Sequence, residues 1–152
     1  MLQLNLPSFE YTLRSKSGKL QIFDPIRKKY IHLTPEEWVR QHVINLLNNE
    51  LKFPASRTSV EGGLKYNARQ KRTDVVIYND EMTPLVLVEC KAPDVQLDQK
   101  TIEQLAIYNK SHQAALLITT NGVRTYAMMT DEDGQTTMLH KIPSYKELKE
   151  LL

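Results

Sequence analysis

Cysteine is nearly absent from this chain, glycine is sparse and no long apolar run occurs. Each shortage closes off a class of protein. One cysteine among 152 residues can form no internal disulfide and build no thiolate zinc site, which excludes a disulfide-stapled scaffold and agrees with a reducing cytoplasm. The longest apolar runs, LVLV and AALLI, fall far short of the roughly 20 residues that a membrane helix needs. The N-terminal MLQLNLPSFEYTLRSK lacks the basic region and apolar block of an export signal. Five glycines and seven prolines punctuate turns rather than gather into a linker, and no repeat appears, so one domain over 1–152 is expected. A net charge of +2, left by 20 basic and 18 acidic side chains, gives no global field that argues for nucleic acid.

What is present is an ordinary globular balance, 41% hydrophobic and 25% charged, in a chain long enough to build one core. KLQIFDPIRKKYIHL predicts an N-terminal β-hairpin around Asp24-Pro25. TPEEWVRQHVINLLNNE predicts an amphipathic helix with Thr34 as N-cap, Pro35 at the first position and Glu37 where a capping box places its acid. DVVIY and LVLVE carry apolar residues at successive positions, the pattern of strands covered on both faces. VEGGLKYNARQ reads as a bent strand before them. A helix over LDQKTIEQLAIYNKSHQ, a strand AALLITT, a hairpin at Asn121-Gly122, an edge strand TTMLHKI and a Ser-capped tail helix SYKELKELL complete an α/β fold, a mixed sheet flanked by helices.

The strand LVLVECKAP is where chemistry enters. A period of two puts Glu89 and Lys91 on one face and Cys90 on the other, at the end of an otherwise dry element where ions need partners. Asp74 opens the preceding strand, and the short turn NDEMTP makes the two strands antiparallel neighbours, so Asp74 is expected to approach Glu89. Converging carboxylates repel unless neutralised, and a hard divalent cation such as Mg2+ or Mn2+ is a fitting neutraliser. Such an ion polarises a phosphate and acidifies a bound water, with Lys91 beside it, which is the chemistry of phosphodiester hydrolysis. The competing account of Glu89 and Lys91 is a buried ion pair without catalysis. Cys90 reads as a small core residue. The histidines show no metal spacing and default to surface or hairpin positions, and Trp38 reads as core or interface. Arg69, Lys71 and Arg72 in NARQKRTD, with Arg57 upstream, form a local basic cluster suited to a nucleic-acid backbone.

Asp74 followed by Glu89-Cys90-Lys91 at the end of an apolar strand resembles the D…(D/E)xK signature of the PD-(D/E)xK nuclease superfamily, with Thr73 in the usual proline position. TPEEWVRQ, KRTDVVIYN, LVLVECKAP, QLAIYN and LLITTNG resemble, in that order, the N-terminal nuclease domain of type I restriction enzyme R subunits, over roughly residues 30 to 130. The resemblance implies a restriction-endonuclease-like fold and a metal held by Asp74, Glu89 and the Cys90 backbone carbonyl. It implies that Lys91 is the catalytic lysine and that Gln104 and Tyr108 are the QxxxY pair of the RecB-like branch. These two sit one helical turn apart, on one face, able to buttress the site or touch DNA. An acidic residue of the first helix often completes such sites; Glu37 is favoured over Glu36, although its capping position accounts for it equally well.

The expected function is a Mg2+- or Mn2+-dependent DNA endonuclease-like domain, cytoplasmic, acting on DNA with motor or specificity subunits or as a homo-oligomer. The alternative is a non-catalytic nucleic-acid-binding or assembly module on the same fold. No GxxxxGK[ST] pattern is present, so this chain carries no ATP-driven motor of its own.

Overall fold

The computed structural model describes residues 1–60 and 74–152. The expected bent strand over VEGGLKYNARQ, beyond its first residue, and the basic residues Arg69, Lys71 and Arg72 lie outside the described residues.

Residues of two sheets join the core cluster that includes the molecule's first helix. The N-terminal sheet is a three-stranded antiparallel meander, β1 (Leu13–Lys16), β2 (Lys19–Asp24) and β3 (Lys29–His32), in the order β1-β2-β3. The expected hairpin is its second half, paired Gln21 to His32 through Asp24 to Lys29. The extra strand, LRSK, pairs Leu13 with Ile22 and is largely exposed. Helix α1 (Pro35–Asn45) starts as read: Thr34 Oγ1 accepts from the Glu37 amide at 3.0 Å. It continues into a π-helical turn at Leu46–Glu50.

The main sheet has six strands in the order β4 (Thr58–Val60), β5 (Val75–Tyr78), β6 (Pro84–Cys90), β7 (Leu116–Thr120), β8 (Thr125–Thr130) and β9 (Thr136–Leu139). All neighbours are antiparallel except β6 and β7, whose parallel pairing requires a crossover. Helix α2 (Gln99–Tyr108), N-capped by Asp98, makes it. Helix α3 (Tyr145–Leu151) closes the chain with a complete Ser144/Glu147 capping box.

The continuous apolar runs of β5 and β6 are explained by helices on both faces. On one face Val75, Ile77, Val86, Val88 and Cys90 pack with Trp38, Val39, Val43, Ile44 and Leu47 of α1 and its π-helical extension, and with Leu148 of α3. On the other, Val76, Leu87, Leu117 and Met128 pack with Leu105 of α2, flanked by Ile102 and Tyr108. The expected surface or hairpin placement of the histidines fails for His42: it is buried in α1, stacks edge-on against Trp38 and Phe9, and its Nδ1 meets the Trp38 carbonyl at 2.8 Å. Burial pushes its pKa down. Asn121 and Gly122 do sit at the β7–β8 connection, but the turn runs over 121–124 and is wound on the Asn121 side chain, whose Oδ1 accepts from the Val123 and Arg124 amides. No helix among the described residues is long and apolar enough to cross a membrane.

Candidate functional site

The site lies where β5 begins and β6 ends. Because Val75 pairs with Val88, Asp74 stands beside Glu89 across the antiparallel ladder. The Asp74 amide donates to the Val88 carbonyl at 2.9 Å, and its carboxylate Oδ2 accepts from the Cys90 amide at 2.7 Å. The aspartate is thus fastened to the β6 backbone at the position of the motif. Burial raises the Asp74 pKa, against the opposing pull of Arg40 and the Cys90 amide.

Alternation places the Glu89 and Lys91 side chains opposite to Cys90. Glu89 is buried, and its Oε1 pairs with Lys91 Nζ at 3.1 Å. Partial burial alone would lower the Lys91 pKa, but Glu89, with smaller help from Asp74 and Glu36, raises it. The ammonium therefore stays charged well beyond neutral pH. Lys91 is fixed on its other side by β7, since its amide donates to the Thr120 carbonyl at 2.9 Å. Cys90 packs in the α1-side core, and burial pushes its thiol well up, which removes it as a nucleophile. Tyr108 lies half-buried on the α2 side, its ring stacked on His112 at 4.5 Å. Gln104, one turn earlier, is half-buried as well.

The first helix contributes more than the sequence indicates. Glu37 gives its amide to the Thr34 cap, but its carboxylate turns inward rather than back to the cap. Its Oε1 accepts from Arg40 Nη1 at 2.6 Å, and its Oε2 from Arg27 Nη2 and Gln41 Nε2, both at 2.9 Å. That ties it to Asp24, which is fully buried and also held by Gln41 and Arg27. Glu36, with its side chain 46% exposed, meets Arg40 Nη2 at 2.9 Å and adds to the charge felt by Asp74 and Lys91. Of the two first-helix acids, Glu36 shares Arg40 Nη2 with Asp74, whereas Glu37 is committed to the interior network.

Arg40 is the residue that sequence reasoning missed. Its Nη2 also donates to Asp74 Oδ1 at 2.6 Å, so one buried guanidinium joins Glu36, Glu37 and Asp74. Burial works against its charge, but Asp74 and Glu37 more than compensate and raise its pKa. The available signal was its spacing, three and four residues after Glu37 and Glu36, which puts all three on one helix face. Thr119 was missed too. It pairs with Glu89 in the β6–β7 register, is fully buried, and its hydroxyl has no hydrogen-bond partner among the described residues. Arg57, read with the basic cluster, is paired with Asp80.

The donor chemistry of Asp74 and Glu89, two buried carboxylates on adjoining strand ends, fits a hard divalent cation. Among the described residues, however, no group of three or more His, Cys, Asp or Glu is arranged to hold one, and Arg40 already stands on Asp74 Oδ1. The rim of the site is tied together: the loop after Lys91 and the turn after β7 meet through Asn121 Nδ2, which donates to the Val95 carbonyl at 2.8 Å.

A search of the curated proteins gives no match. Among solved structures, a fragment described as an HsdR subunit of a type I restriction enzyme from Vibrio vulnificus YJ016 aligns with 23% identity and a TM-score of 0.40, covering 62% of this chain and 18% of that one. The chain therefore spans under a fifth of that structure's length. The family model described as "Type I restriction enzyme R protein N terminus (HSDR_N)" matches residues 35–143, the stretch from α1 to the approach to α3 and well over half of the sequence, and by that match the chain belongs to the family of type I restriction enzyme R protein N termini.

Proposed function

We propose that this chain is a metal-dependent DNA endonuclease-type domain of the PD-(D/E)xK kind, working with other restriction-modification subunits. The observation that carries this reading is the placement of Asp74, whose carboxylate is bonded to the Cys90 amide, at the same strand end that carries the Glu89–Lys91 ion pair. Asp74, Glu89 and the Cys90 carbonyl are the groups that would hold Mg2+ or Mn2+, and the bound ion would supply phosphate polarisation and an acidified water. Lys91, charged and held by Glu89, stabilises negative charge developing on the scissile phosphate rather than taking a proton from water. The Cys90 amide orients Asp74. Gln104 and Tyr108 present one face of α2 to the same side of the sheet, where they steady the site or contact the strand being cut. Arg69, Lys71 and Arg72 hold the DNA backbone. With Mg2+ or Mn2+, purified protein should nick supercoiled plasmid, and Asp74→Asn and Lys91→Met should each slow nicking by about 100-fold or more while keeping the wild-type circular dichroism. Equal nicking by the variants would overturn the assignment.

A second reading, a DNA-binding module without turnover, is favoured by the Arg40 contact on Asp74. It predicts salt-sensitive DNA binding that needs no divalent ion and survives Glu89→Gln.

A further inference from the structure

We propose that Arg40 is the internal counter-cation of the site, a guanidinium that competes with a divalent ion for Asp74 Oδ1 and must swing away from it before the ion is held. The inference rests on the reading of Asp74 as a metal ligand. Both Asp74 oxygens are engaged: Oδ2 accepts from the Cys90 amide at 2.7 Å, a backbone contact that stays with the strand, and Oδ1 accepts from Arg40 at 2.6 Å. Only the second partner can leave. It cannot leave by losing its proton, because a guanidinium remains charged at any accessible pH. The side chain has to move.

The structure supplies a route for that movement. Arg40 Nη2 is shared between Asp74 and Glu36 Oε2 at 2.9 Å, and Glu36 is half exposed whereas Asp74 is buried. Nη1 is anchored on Glu37 at 2.6 Å. A guanidinium that keeps Glu37 and shifts onto Glu36 retains two of its three carboxylates and frees the third. Its present pose is also incompletely satisfied: Nε is buried and has no hydrogen-bond partner among the described residues. Glu36 thus acts as the outer anchor that receives the guanidinium, and Arg40 as a positioning residue that sets how readily the site loads.

The test is calorimetric titration of the whole chain with Mn2+, using wild type, Arg40→Gln, Asp74→Asn and the double variant. Removing a fixed positive charge next to the ion should tighten Mn2+ binding by about tenfold or more in Arg40→Gln, and Asp74→Asn should abolish binding in both backgrounds. Asp74-dependent binding that is equally tight in wild type and Arg40→Gln overturns the role of Arg40 and leaves the nuclease reading standing. No Mn2+ binding in either overturns both. Should Arg40→Gln fail to fold, the arginine side-chain 15N resonances of wild-type protein are followed during Mg2+ titration. The Arg40 signal is expected to move in step with metal occupancy, and an Arg40 signal that stays fixed while the metal binds overturns the inference.

Discussion

Glu37 separates three explanations of one residue: a capping acid, a ligand, or the keystone of a buried network. Replacing it with alanine removes an acceptor of three side-chain bonds, from Arg40 at 2.6 Å and from Arg27 and Gln41 at 2.9 Å. Breaking a buried ion pair by deleting one partner costs about 3–5 kcal/mol, because the other charge stays behind unpaired. Here Arg40 retains Asp74 and Glu36, and Arg27 retains Asp24, so the lower end applies, about 3 kcal/mol. A capping role alone is worth about 1 kcal/mol, which Thr34→Ala measures on the same helix end. In a domain of this size the larger figure lowers Tm by roughly 6–12 °C. Urea unfolding, followed by far-UV circular dichroism and by the single, buried Trp38, reads both variants. A Glu37→Ala cost no greater than that of Thr34→Ala would refute the network argument.

Asp24 should give the protein an acid limb. Its folded pKa lies below its ordinary value because the Arg27 amide, the Arg27 side chain and Gln41 outweigh the cost of burial. The stability it contributes is therefore present above the unfolded pKa of about 3.9 and lost as pH falls through the folded value. The wild-type urea midpoint should drop as pH is lowered below about 4, and Asp24→Asn, weaker at neutral pH, should flatten that slope. Gly122→Ala should destabilise by about 1–2 kcal/mol, since φ is +83° and an added Cβ would sit 2.9 Å from both Leu4 methyl carbons; a neutral urea midpoint would contradict this. Cys90, 1% exposed, should resist thiol reagents in the native state and react fully once the protein is unfolded, and rapid native labelling would show that the β6 end opens.

The two central strands, the caps of α1 and α3, and the pairing of Glu89 with Lys91 follow from local pattern: continuous apolar runs, cap chemistry and a period of two. Asp74 beside Glu89 also follows, because a short turn leaves an antiparallel pair little freedom of register. What was not legible depended on distant partners. LRSK has one apolar residue and becomes strand β1 only because β2 offers a free edge. His42 is buried because Phe9, far away in sequence, covers it. The inward turn of Glu37 depends on Arg27, ten residues before it in the chain and outside its helix, whereas the capping box at Ser144 and Glu147 closes within its own helix end. Arg40 drew no reading from the sequence, because the partner that gives it a role, Asp74, comes from the sheet.

The amide clasp between Asn121 and the Val95 carbonyl adds a second tie between two segments already joined by the Lys91 amide and the Thr120 carbonyl. The turn that follows β7 is in addition bonded to the N-terminal segment, through the 2.7 Å bond from the Asn5 amide to the Gly122 carbonyl. Three hydrogen bonds, Lys91 to Thr120, Asn121 to Val95 and Asn5 to Gly122, therefore lace this margin of the fold into one connected strip.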